Sequence, residues 1–154
     1  MAIVVLSFSC STDAIEEDKI EAVVASYVPP TKTIEIEIME LINDHRITVG
    51  LPSLSQMDEI KAEAYSHTDY MIENDEVSHA NFYQRRTNLV NRVGALTVGE
   101  NIAYAYSSPV SVVNAWLNSE GHRAIIEGDF TNFDISAEKD EDDRWYFTNI
   151  FVKK

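Results

Sequence analysis

Four residues in this chain have the right chemistry to act together: His79, Glu100, Glu120 and His122. Two imidazoles and a carboxylate form a sensible ligand set for zinc or another divalent cation. Nitrogen and oxygen donors suit such an ion, and three protein ligands leave a fourth position for water. His79, Glu100 and His122 are therefore the candidate metal ligands. Glu120, two residues before His122, is the candidate proton acceptor or outer partner of the site. No local metal motif such as His-Glu-x-x-His is present, so only the tertiary fold can bring these groups together. Each also has a plainer reading. The histidines could be hydrogen-bonded loop residues, Glu100 an acceptor for loop amides, and Glu120 a solvated residue at a helix end. Ser78 and His79 are sequence neighbours, which is not how a nucleophile and its base are normally presented.

The elements that would position these residues follow from periodicity. Ile34, Ile38, Leu41, Ile42 and His45 keep a helical stripe, so residues 33–49 are predicted as a helix, although Ile34, Ile36 and Ile38 also alternate like a strand. Gly50 and Pro52 stop it. Ser55 reads as an N-cap for a second helix reaching Asn74, with Met57, Ile60, Ala64, His67 and Met71 on its apolar side. His67 reads as a satisfied core histidine rather than a ligand. The loop 76–81 carries His79. Phe82, Arg86, Leu89, Val90 and Val93 mark a third helix ended by Gly94, and residues 100–106 read as a short strand. Ser108-Pro109 is a helix start, with Val112, Val113, Trp116 and Leu117 buried and Gly121 as the stop. Alternation at Phe133, Ile135 and Ala137, and again at Trp145, Phe147, Asn149 and Phe151, predicts a C-terminal β-hairpin. Its acidic turn lacks the spaced ligands and glycine of a calcium loop. Helices, a strand, a helix and a hairpin predict an α+β fold with antiparallel strands in the middle.

Composition bounds the function. A chain of 154 residues, 45% hydrophobic, suffices for one domain with its own core. A net charge of −14, from 26 acidic and 12 basic residues, argues against binding a phosphate backbone, so no nucleic-acid partner is expected. The single cysteine, Cys10, can make no internal disulfide. Residues 1–9 are apolar and uncharged, too short to span a bilayer, and followed at once by Cys10 and an acidic stretch. This pattern resembles the lipobox of a bacterial lipoprotein, with Ser9 as the small residue before the cysteine. The alternative is a buried N-terminal strand with a core cysteine. The expected organisation is a residual leader at 1–9, an acidic flexible tether at 10–32 ending in Pro29-Pro30, and a folded domain at 33–154.

Three strings carry a family likeness: Ser78-His79-Ala80-Asn81, Gly99-Glu100-Asn101-Ile102-Ala103, and Trp116 followed by Ser119-Glu120-Gly121-His122-Arg123. With Leu41-Ile42-Asn43-Asp44-His45-Arg46 and Gly50-Leu51-Pro52-Ser53-Leu54, they resemble, from about Ile38 to Phe151, the CAP superfamily of cysteine-rich secretory, antigen 5 and pathogenesis-related-1 proteins. The likeness is to its disulfide-free bacterial branch of SCP-like extracellular proteins. The resemblance implies a three-layer α-β-α sandwich with a central antiparallel sheet. It also implies a cavity of two histidines and two glutamates that binds zinc or another divalent ion in some members. His79, Glu100 and His122 match motif positions, and Glu120 is the nearest candidate for the second glutamate. The expectation is an exported, lipid-anchored binding module for a divalent metal or small ligand, touching the membrane only through Cys10, rather than an enzyme. The alternatives are a metal-dependent, protease-like hydrolase with Glu120 as base, and a lipid- or sterol-binding module. A shared fold does not choose among them.

Overall fold

The computed structural model describes residues 27–154, and the leader, Cys10 and most of the acidic stretch lie outside the described residues. Tyr27 packs edge-on against Tyr65 at 5.5 Å, and Pro29 is buried, so the end of the segment read as a tether lies against the domain.

The elements in chain order are helix α1 (Thr33–Thr48), α2 (Asp58–Glu73), α3 (Phe82–Val93), strand β1 (Thr97–Tyr104), α4 (Pro109–Asn118), α5 (Glu120–Ile126), β2 (Asn132–Lys139) and β3 (Trp145–Lys153). Among the described residues, the three strands form one antiparallel sheet in the order β1-β3-β2, with β1 and β2 as its edges. Helices cover both faces, so the α-β-α sandwich with a central antiparallel sheet is observed as expected.

Strand alternation decides what each layer of helices meets. Phe133, Ile135 and Ala137 of β2 and Phe147 and Phe151 of β3 share one face. They form the main apolar core with Ile38 and Ile42 of α1, Val112, Val113 and Trp116 of α4, and Ile126 of α5. The Trp116 Nε1–H donates to the Ile102 carbonyl at 2.9 Å, which satisfies the indole where it is buried. The opposite face offers Ile150 and Val152 to Ile60 and Ala64 of α2 and Leu89 of α3.

That second layer also buries charge. Lys61 Nζ lies 2.6 Å from Glu35 Oε2 and donates to the Ile135 carbonyl at 2.7 Å. Glu35 Oε1 accepts the Ala137 amide at 2.8 Å, so a side chain from α1 satisfies a backbone donor of edge strand β2. Asp134, also buried, accepts the amides of Ile135 at 2.9 Å and Met57 at 3.3 Å.

Three boundaries differ from the sequence expectation. Ser55 does not cap α2. Its amide donates to Thr131 and its carbonyl accepts from Phe133, so it is drawn out as an extension of the β2 edge, and the helix starts at Asp58. The first strand starts earlier, at Thr97, because it pairs along its whole length with β3. Gly121 does not end the fourth helix. Ser119, in an extended conformation (φ −96°, ψ 119°), interrupts it, and a separate helix, α5, carries Glu120, Gly121 and His122. Gly94 does end α3, adopting the left-handed conformation (φ +70°) that favours glycine.

Candidate functional site

The site is organised by Glu100 and Asn101, successive residues of edge strand β1. Their side chains go to opposite faces of the sheet. Glu100, only 4% exposed, reaches the α2–α3 layer, and its Oε1 accepts the Nδ1–H of His79 at 2.8 Å. Asn101, fully buried, reaches the α5 layer, and its Nδ2 donates to the His122 carbonyl at 3.0 Å. One dipeptide thus clasps the two segments that bear the imidazoles. The far end of α5 is fixed by the buried Arg46, whose Nη1 donates to the Ile126 carbonyl at 2.7 Å.

Glu100 is held by a residue that the sequence reading did not single out. Arg85 of α3 is buried and makes a forked pair, with Nε to Oε2 and Nη2 to Oε1, both at 2.8 Å. Its Nη1 donates to the Ala80 carbonyl at 2.6 Å, fixing the loop beside His79. A planar two-pronged pair of this kind sets orientation as well as charge. Arg86, placed on the apolar stripe from sequence, is exposed, while Phe82, Arg85 and Leu89 face inward. An arginine within that three- and four-residue pattern was the available signal.

The imidazoles are prepared differently. The His79 side chain is 52% exposed, and with its Nδ1–H given to Glu100, the neutral ring carries its lone pair on Nε2. Burial above all holds His122 below its ordinary value, which favours its neutral, ligating form. Both rings therefore suit a divalent cation. Glu100 fits as the hydrogen-bond partner that orients His79, since the Arg85 fork and His79 engage its two oxygens. Among the described residues, no three His, Cys, Asp or Glu side chains form a metal-ligand group. Glu120 lies in the first turn of α5, exposed. His67, read as a core histidine, is buried, and its Nε2–H donates to the Ser78 carbonyl at 2.8 Å, one residue before His79.

A family model described as "CAP: Cysteine-rich secretory protein family" matches residues 39–151. The Bacillus subtilis (strain 168) "Uncharacterized membrane protein YlbC" is 36% identical over 129 residues, covering 79% of this chain and 35% of its own length. The "Uncharacterized protein YkwD" of the same strain is 31% identical over 105 residues, 66% of this chain and 41% of its own. The chain thus spans well under half the length of these relatives. Among solved structures, an outer surface protein from Borrelia burgdorferi superposes with a TM-score of 0.73 at 22% identity, covering 84% of this chain and 98% of that one. An extracellular protein containing a SCP domain from Bacillus anthracis str. Ames superposes with a TM-score of 0.68 at 26% identity, covering 89% of this chain and 50% of that one. Among the described residues, no helix is long and apolar enough to cross a membrane.

Proposed function

Since this chain belongs to the CAP, cysteine-rich secretory protein family, in its bacterial form, we propose that it is an extracytoplasmic binding module whose His79 and His122 hold a divalent cation, with zinc the best match to two neutral imidazoles. One observation carries the reading: the His79–Glu100 hydrogen bond at 2.8 Å, which orients a half-exposed imidazole with its second nitrogen free. A carboxylate behind a ligating histidine fixes its tautomer and raises its basicity. A bound cation would supply a Lewis-acidic contact for an oxygen-bearing small ligand. The proposed roles of this chain's own residues are separate. Arg85 positions Glu100, Glu100 orients His79, and Asn101 sets the placement of α5. Glu100 thus enters as a support for the metal site rather than a third ligand. Export and anchoring through Cys10 belong to the same proposal. They are supported by the apolar leader and by the names of similar proteins, one called a membrane protein and one called extracellular. The exposure of Glu120 gives no support to a hydrolase that uses it as base.

Calorimetric titration of the full chain with zinc chloride tests the reading. The expected result is saturable binding that is lost in His79→Ala and in His122→Ala, and weakened about 10–100-fold in Glu100→Gln. Binding undiminished in both histidine variants would overturn it.

A further inference from the structure

A recess lies between α2 and α3, with Arg85 among its lining residues and a volume of about 160 Å³. We propose that it is a binding site for a single sugar ring.

The case begins with His67, which lines the recess and is 2% exposed. Its Nε2 must carry the proton, because its partner at 2.8 Å is the Ser78 carbonyl. The other ring nitrogen, Nδ1, is then a lone-pair acceptor, and it has no hydrogen-bond partner among the described residues. Burial, and after it the charge of Arg85, hold this imidazole below its ordinary value and so keep it an acceptor. A buried acceptor without a donor is unfavourable, so a ligand hydroxyl that reached it would be favoured here.

The neighbouring groups select the kind of donor. Glu63, 7% exposed, takes Asn88 Nδ2 at 3.0 and 3.2 Å on its two oxygens and keeps further acceptor capacity. Gln84 and Asn81 add amides, each both donor and acceptor. The Tyr70 ring stacks on His67 at 5.9 Å with 14° between planes, which gives the wall an aromatic element. Carboxylates and guanidinium groups balance here, with Glu63 facing Arg92 at 3.5 Å and Glu100 facing Arg85 at 2.8 Å. An isolated cation would meet Arg85, an anion would meet Glu63, and an apolar chain would strand the amides. A polyhydroxylated ring satisfies all of them, because each hydroxyl donates and accepts and the ring's C–H face packs against an aromatic. The size agrees. Pockets for drug-sized ligands are about 300–1,000 Å³, so this one admits one ring and not a lipid tail.

The test is a two-dimensional NMR titration of the isotope-labelled full chain with glucose, galactose, N-acetylglucosamine and the N-acetylglucosamine trimer. The expected result is saturable movement of the His67 ring and Gln84 side-chain amide signals with at least one sugar. Affinity should drop tenfold or more in Gln84→Ala, whose surface position leaves the fold intact, and stay unchanged in His79→Ala. A response to the monosaccharides alone identifies a free sugar as ligand, and a stronger response to the trimer identifies the end of a glycan. Both support the site. No saturable movement of these signals with any sugar overturns it, as does equal binding by Gln84→Ala or a response to ethylammonium chloride or inorganic phosphate in place of the sugars. His79→Ala separates this outcome from the metal reading, since it removes the imidazole proposed to hold zinc, and His79 is not among the side chains lining this recess.

Discussion

The two faces of the sheet solve the same packing problem with opposite materials. Towards α1, α4 and α5 the sheet presents Phe133, Ile135, Phe147 and Phe151, and the helices answer with Ile38, Ile42, Val112 and Trp116. Towards α2 and α3 the apolar cluster is smaller, and Glu100, Asp134, Ser136 and Thr148 are buried beside it, answered by Arg85, Lys61, His67 and Thr68. Apolar burial is non-directional and tolerant of small shifts. Buried charge and hydrogen bonding hold only at correct distances and angles. The lesson is a division of labour. The apolar face supplies the bulk of the stability, and the polar face fixes orientation, which is what His79 and its loop require.

The comparison can be broken most decisively at Arg85. Arg85→Met leaves the Glu100 carboxylate buried without its cation and should lower unfolding free energy by about 4 kcal/mol in urea titrations. The double variant Arg85→Met/Glu100→Gln should recover much of that loss, since a buried pair removed whole is nearly neutral. Failure of the second change to rescue the first would mean that the polar face behaves like the apolar one. On the other face, Phe147→Ala should cost about 3 kcal/mol through cavity formation. No partner change rescues it, and its effect should be equal at pH 5 and pH 8.

Acidity sharpens the contrast. Burial pushes Asp134 from 3.8 up to about 6, with Lys61 and the amides of Ile135 and Met57 opposing the rise. Its folded-state value is above its unfolded one, so the native state holds the extra proton between those limits. The resulting stability is fully present below pH 3.8 and is lost as the pH rises through about 6. Asp134→Asn should remove this component. The difference between variant and parent in thermal unfolding should change by on the order of 2–3 kcal/mol across that window and level off above it. A flat difference curve would refute it. The smallest effect expected is at Ser108, which caps α4 by accepting the Ser111 amide at 3.2 Å. Ser108→Ala should cost about 1 kcal/mol, independent of pH, and leave zinc affinity unchanged.

The sequence was most legible where one strong pattern acted alone. The Gly94 stop and the alternation in β2 and β3 were readable, because period and turn chemistry agreed with the final packing, whereas the α1 stripe competed with a strand-like alternation at Ile34, Ile36 and Ile38. It was least legible where long-range backbone bonds overrode local preference. Ser55 has a good capping side chain, yet its amide and carbonyl are taken by the edge of β2. Gly121 looks like a terminator, yet the break falls at Ser119 and the chain turns straight into α5. The site residues were readable as motif strings, but their relations were not. That Glu100 answers to Arg85, and Asn101 to the His122 backbone, depends on which face of β1 each occupies and which helix lies over it.

Gly99, just before that pair, has a consequence of its own. A Cβ there would stand 3.0 Å from Ile125 of α5 and 3.0 Å from Phe130, closer than ordinary contact. The missing side chain is a shim of zero thickness under the helix that carries His122. Adding one carbon at this position should push α5, and His122 with it, away from the strand, while altering neither imidazole nor the carboxylate behind His79. The calibre of the site is therefore adjustable separately from its chemistry, and the adjusting screw is a residue with no functional group at all.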